Sequence, residues 1–236
     1  KSYTSARVAK DLAALQPPVR VAVFSLDGRS TCMLTPDLYL HHADMLAVGR
    51  KHASNPLMQG RGQPGTHDVA LGSSILRALR SINDSPSQSV QLPVYDKSAW
   101  DGQGDRAADA VTVHGPIDLV LFEGWCLGFH ALTKAEIEQR LRTSMGDAGS
   151  CLTSYSADNL AVISENLGVW EREWYPLLDA FIQFHPCAEN GKSPWSMVYP
   201  WRLQAEHAMK RINGGRGMTD EQVASFVQRC AFRERD

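Results

Sequence analysis

Apolar positions follow two rhythms along this chain, and each rhythm predicts a different element. Val8, Leu12 and Leu15 recur at helical spacing, Pro17-Pro18 break that segment, and residues 19–26 then form an apolar strand that ends at Asp27. A short apolar run bounded by breakers is what a strand covered on both faces requires. Ile75, Leu76, Leu79 and Ile82 mark the apolar side of a helix that Asp68 can cap at its N-terminus. A Ser/Pro/Asn-rich loop over residues 83–89 leads into a short strand at 90–94, and a polar loop, YDKSAWDGQGDR, covers 95–106. A second buried strand, residues 117–122, ends in Glu123 within IDLVLFEGWCLGF. Thr133 and Glu136 form a capping box for a helix reaching Leu141, and Leu160, Ile163 and Leu167 mark another. Residues 180–184 read as a last strand. Two helices follow near 198–211 and 219–229, the second opened by Thr219 and Gln222, with glycines 214, 215 and 217 between them.

Buried strands separated by helices predict an α/β fold, a mostly parallel sheet with helices on both faces. At 236 residues a single domain, 1–236, is expected. In such sheets ligands bind beyond the carboxyl ends of the strands, where Asp27 and Glu123 stand. An unpaired buried charge is costly, so each acid needs a partner. For either one alone, a structural salt bridge or a capping acid is the simpler reading. Two acids at the same edge point instead to a metal or catalytic site.

Composition narrows the partners. With 43% hydrophobic and 21% charged residues the chain has the makeup of a globular protein, which excludes wholesale disorder. A net charge of −2 with scattered Lys and Arg gives neither a nucleic-acid footprint nor a polybasic membrane patch. Five widely spaced cysteines without a CxxC pair argue against a disulfide scaffold or zinc knuckle and point to a reducing compartment, with the cytoplasm as the default localisation. No apolar run approaches the roughly 18 residues of a membrane span, and no signal-peptide pattern opens the chain. Neither a nucleic-acid nor a membrane partner is therefore expected. No feature of the pattern specifies an oligomeric state.

Four motifs carry candidate chemistry. Residues 60–65, GRGQPG, match GxGxxG, but no strand precedes them, Pro64 sits inside the turn and no ribose-binding acid ends a following strand, so the dinucleotide reading fails. A loop shaped for close approach to a small anion fits better, with Arg61, Thr66, His67 and Asp68 as polar contacts. An ordinary glycine turn, with His67 a surface histidine, is the plainer alternative. The loop YDKSAWDGQGDR brings Lys97, Asp105 and Arg106 together, and such cations recognise carboxylates and phosphates unless they are merely solvated. In VYPWRLQAEHAMK, Arg202, Glu206 and Lys210 fall at helical spacing and by themselves describe a solvated face with i,i+4 pairs. Finally, Lys1-Ser2 ahead of a helix is what closes GxxxxGK followed by Ser or Thr, where the lysine reaches the β and γ phosphates and the hydroxyl binds magnesium.

In order along the chain, FSLD, DLYL, NPLMQGRGQPGTHD, VYDKSAWDGQGDR, DLVLFEGW, VYPWRLQAE and GMTDEQVASFV resemble the D-glycerate 3-kinase family and its fungal ATP-binding relatives. These are P-loop kinases similar to uridine kinase and phosphoribulokinase. The resemblance implies ATP, magnesium and transfer of the γ-phosphoryl group to a hydroxyl of D-glycerate. It implies phosphate contacts from Lys1, Ser2 and a lid arginine, Arg202, in a helical lid over about 195–217, and magnesium held by Ser2, Asp27 and Glu123. Asp27 would be the general base, with Asp37 the acid that takes this role if Asp27 does not. Tyr39, Arg61, Thr66, His67, Asp68, Lys97, Arg106 and Trp125 would line the acceptor site. A nucleoside acceptor, stacked on Trp100 and Trp125, is the alternative within kinases; a non-catalytic nucleotide-binding remnant is the alternative outside them. Residues 28–36 interrupt the family pattern with the composition of a loop and read as a retained intron or a gene-model error. The first strand and most of the P-loop are missing ahead of Lys1, so a truncated chain that binds ATP poorly or not at all is expected. The tail after Val227 also leaves the family pattern.

Overall fold

A computed structural model describes residues 2–26, 34–85, 87–144, 155–184 and 197–230. Lys1 and Asp27 lie outside these described residues. Helix α1 (Ser2–Ala13) packs on strand β1 (Val21–Ser25), but of the expected apolar face Val8 is 39% exposed, and Leu15, 51% exposed, lies beyond the end of the helix. Next come β2 (Leu34–Pro36), α2 (His42–Lys51), α3 (Val69–Arg80), β3 (Ser89–Asp96), β4 (Asp105–His114) and β5 (Leu119–Glu123). The remainder is helical: α4 (Lys134–Ser144), α5 (Ala157–Glu173), α6 (Val198–Ile212) and α7 (Asp220–Cys230). Among the described residues no helix is long and apolar enough to cross a membrane.

The two runs read as buried strands pair with each other. β1 and β5 are parallel, in register from Val21 opposite Leu119 to Ser25 opposite Glu123. Their apolar side chains join α3 and α5 in one core, in which Phe24 stacks on Phe122 at 5.3 Å and Phe122 meets the edge of Trp174 at 5.7 Å. Trp170 stacks on Trp174 at 5.0 Å. Gly72 lets α3 approach this layer, since a Cβ there would fall 2.7 Å from Leu38 Cδ1 and 2.8 Å from Trp174.

The rest of the β structure differs from the expected mostly parallel sheet. Among the described residues the parallel part is this one pair, and β2, β3 and β4 form a separate antiparallel sheet in that order. Residues 95–106, expected to be a loop throughout, instead close a hairpin: β3 runs on to Asp96, β4 begins at Asp105, and 97–104 turn between them. Leu34, Thr35 and Pro36, expected to belong to a looped insertion, form β2 opposite Asp96, Tyr95 and Val94. The expected strand at 180–184 is absent. An apolar segment becomes a strand only with a hydrogen-bonded neighbour, and among the described residues none pairs with it. Phe181 lies instead over Gly128, where an added Cβ would come 2.0 Å from its ring.

The caps form as their sequences require. Asp68 accepts from Leu71 N at 3.0 Å, Thr133 and Glu136 exchange bonds at the start of α4, and Thr219 and Gln222 do so at α7.

Candidate functional site

At the carboxyl ends of β1 and β5, the parallel register puts Ser25 beside Glu123, and Ser25 Oγ donates to Glu123 Oε1 at 2.8 Å. Glu123 is buried, and its carbonyl accepts from Leu26 N at 2.8 Å, which carries β1 on to its last residue before Asp27. Ser2 opens α1.

A cleft of about 160 Å³ adjoins this edge through Trp125, two residues after Glu123. Tyr39, Arg61, Lys97 and Trp125 form one wall. Val198 and Arg202 of α6 and Phe226 of α7 form the other, so the cations expected at the acceptor and in the lid face a common space. Lys97 Nζ lies 3.4 Å from Asp37 Oδ2, with side-chain exposures of 6% and 0%. Asp37 Oδ1 also accepts from Tyr39 N at 3.1 Å, so one carboxylate fixes two members of the wall. Arg61 is spent partly on structure: its Nη1 donates to the carbonyl of Gly102 at 2.6 Å and to that of Gln103. Arg202 packs over the Phe226 ring at 4.9 Å and lies 3.5 Å from Glu206.

The other expected acceptor residues stand behind this wall. Thr66 Oγ1 donates to Gln63 O at 2.6 Å and accepts from Gly62 N at 3.2 Å, which closes the glycine loop. His67 is buried rather than at the surface, stacked on Tyr39 at 4.6 Å with Trp170 at its edge. Arg106 bridges Asp68 at 3.2 Å and the Tyr39 carbonyl at 2.9 Å, so this ion pair braces the strand-like segment that carries Tyr39. Trp100 points elsewhere: it is 58% exposed and stacks on His42 at 4.7 Å.

The electrostatics keep these roles distinct. Burial pushes the Tyr95 hydroxyl far above its ordinary pKa, the Arg61 and Arg106 charges pulling against it and the Asp37 and Asp105 carboxylates adding to it, so it stays neutral beside the cations. For Asp105, burial acts upward, but hydrogen bonds from His42 N, Trp100 Nε1 and Arg106 N outweigh it and hold the carboxyl below its usual range. Asp105 thus remains anionic and ties the hairpin to the start of α2.

Sequence spacing missed the glycine geometry of the hairpin. Gly104 has φ +86°, and a Cβ there would lie 2.4 Å from Tyr95 Cε1 and 2.7 Å from Arg61 Nη1. Gly104→Ala is expected to cost about 1–3 kcal/mol of stability through backbone strain and overpacking. Urea unfolding measures it, and an unchanged midpoint would show that the hairpin relaxes freely.

No family model matches the sequence. The fold and sequence are similar to the solved D-glycerate 3-kinase from Cryptococcus neoformans var. grubii: 38% identity and a TM-score of 0.82, covering 98% of this chain and 73% of that one. The chain belongs to the D-glycerate 3-kinase family. Among relatives in this family, the probable ATP-dependent kinase TDA10 of Saccharomyces cerevisiae is 38% identical over 196 residues, 82% of this chain. The chloroplastic D-glycerate 3-kinase of Arabidopsis thaliana is 33% identical over 88% of this chain. This chain spans 61% and 42% of the length of these two curated relatives.

Proposed function

We propose that the protein is an ATP-dependent kinase that transfers the γ-phosphoryl group to a hydroxyl of D-glycerate. The observation that carries this reading is Lys97, an ammonium fixed by a buried carboxylate 3.4 Å away on the wall of a small cleft that Arg61 shares. Cations held in place recognise a carboxylate without first losing side-chain freedom. The cleft, about 160 Å³, is smaller than the roughly 300–1,000 Å³ of sites for drug-sized ligands, which suits a short acid. A stacked nucleoside would use Trp125 alone, because Trp100 faces His42.

In this reading the relatives' names supply the kinase chemistry and the chain's residues divide the work. Lys97 and Arg61 hold the acceptor carboxylate, and Tyr39 and Trp125 shape its wall. Asp37 is 0% exposed and engaged with Lys97 and Tyr39, so it positions these groups and leaves the base role to Asp27. The α6–α7 pair, which holds the described part of the expected lid over 195–217, closes the opposite side with Arg202. Magnesium bound with ATP would supply positive charge against the negative charge that develops in phosphoryl transfer. Its donors fit the chemistry of the strand tip: magnesium takes oxygen ligands, keeps several waters and is bound through one or two carboxylates plus phosphates. Glu123, a buried carboxylate at the end of β5, would hold it, with Ser2 and Asp27 as further oxygen donors. Lys1 would reach phosphate.

The test is a panel of D-glycerate, uridine, pantothenate and ribulose 5-phosphate, each with ATP and magnesium and the intact protein. Turnover with D-glycerate is the expected result, and turnover with uridine alone would overturn the assignment.

A further inference from the structure

We propose that Glu206 is a positioning residue that aims Arg202 into the cleft and couples the α6–α7 pair to the acceptor-side hairpin. Glu206 is charged yet only 1% exposed. Its Oε1 accepts from Met218 N at 2.8 Å, and its Oε2 lies 3.5 Å from Arg202 Nη2. The turn between the two helices is folded over this carboxylate. Gly217 has φ +144°, and a Cβ on it would fall 2.5 Å from Glu206 Oε1, so no larger residue fits without displacing the acid.

The same turn rests on the hairpin across the cleft. A Cβ on Gly102 would lie 2.8 Å from both the Cγ and the N of Met218, and 3.1 Å from the carbonyl carbon of Gly217. Gly102 is in turn the residue whose carbonyl accepts from Arg61 at 2.6 Å. Arg202, Glu206, Met218, Gly102 and Arg61 thus form one unbroken series of contacts, and both of its ends line the cleft. A surface i,i+4 ion pair would hold its arginine weakly. Here the carboxylate is itself held by a backbone N–H, so the guanidinium meets a fixed partner and keeps one orientation. An acceptor that settles against Arg61 therefore acts on a hairpin already in contact with the turn that orients Arg202. This inference rests on the kinase reading only in taking Arg202 as the cation that meets phosphate.

Two arms test it in the intact protein. In the first, Glu206→Gln and Arg202→Gln are combined in a double-mutant cycle, with kcat and KM corrected for folded fraction and measured on whichever acceptor of the panel is turned over. Glu206→Gln keeps an oxygen for Met218 N and loses the charge that aims Arg202. The expected result is a kcat about tenfold lower with KM for the acceptor nearly unchanged, and no further loss of kcat when Arg202 is already Gln. An equal loss in both backgrounds would make Glu206 merely structural and overturn the proposal. The second arm needs no activity, so it separates failure of this inference from failure of the glycerate assignment. Glu206→Ala should speed amide hydrogen exchange at both Met218 and Gly102 by about tenfold or more. Faster exchange at Met218 with Gly102 unchanged would overturn the coupling between the helices and the hairpin.

Discussion

Replacing Lys97 by methionine is expected to destabilise the protein by about 3–5 kcal/mol, the usual penalty for removing one partner of a buried ion pair. Methionine nearly preserves the length of the side chain, so the cost comes from Asp37, left 0% exposed without its ammonium. Asp37 cannot simply turn to solvent, because its Oδ1 holds the Tyr39 N–H at 3.1 Å and its own N–H donates to Pro93 O at 2.9 Å. Adding Asp37→Asn should recover most of the loss, since an amide keeps an acceptor for Tyr39 without the charge. Urea midpoints of the single and double variants decide the matter. A single-variant loss under about 1 kcal/mol would mean that the pair behaves as a solvated one. In the recovered double variant, the KM for D-glycerate should still be about tenfold or more above that of the parent, because the acceptor cation is gone.

How much of this could be read beforehand follows from what each element needs. β1 and β5 were legible because each is a short, nearly uninterrupted apolar run, and Glu123, which ends β5, marks the edge where ligands bind. β4 was hidden for the opposite reason: among the described residues it pairs with β3 alone, most of its residues are exposed, and its small residues show no clean alternation. Residues 180–184 misled because hydrophobicity records a preference for burial and cannot supply a neighbouring strand. In the site, the cations themselves were legible as motifs. Whether a cation faces the cleft, as Lys97 does, or braces the strand behind it, as Arg106 does, depends on tertiary placement that the short motifs leave open. Glu206 carries the clearest lesson. Its spacing from Arg202 read as a solvated pair, and only the glycines that fold the following turn over it distinguish a buried acid from an exposed one.

The largest catalytic effect is expected at Arg202. Phosphoryl transfer leaves a protein little covalent chemistry to do, so groups that neutralise charge on the transferred phosphoryl dominate, and an arginine in that position is worth roughly 10³–10⁵ in kcat. Arg202 meets the physical requirements: its side chain is 19% exposed, it faces the cleft opposite Lys97 and Arg61, and it is confined between the Phe226 ring and Glu206. Arg202→Gln should therefore lower kcat on the order of a thousandfold, the lower end of that range, because a lid residue is shared between phosphate and its own ion pair. KM for the acceptor should change little, since the carboxylate-binding cations lie on the other wall. Glutamine can still donate to Glu206, which keeps that acid from being left without a side-chain donor and makes the loss a statement about catalysis rather than folding. Arg202→Lys should recover only a small part of the rate: an ammonium restores the charge but lacks both the planar face that rests on Phe226 and the fork that grips two oxygens at once. Steady-state kinetics on the three proteins, with far-ultraviolet circular dichroism to confirm equal folding, gives the answer. A glutamine variant within tenfold of the parent in kcat would place the charge-neutralising cation elsewhere and reduce α6 to a cover over the cleft.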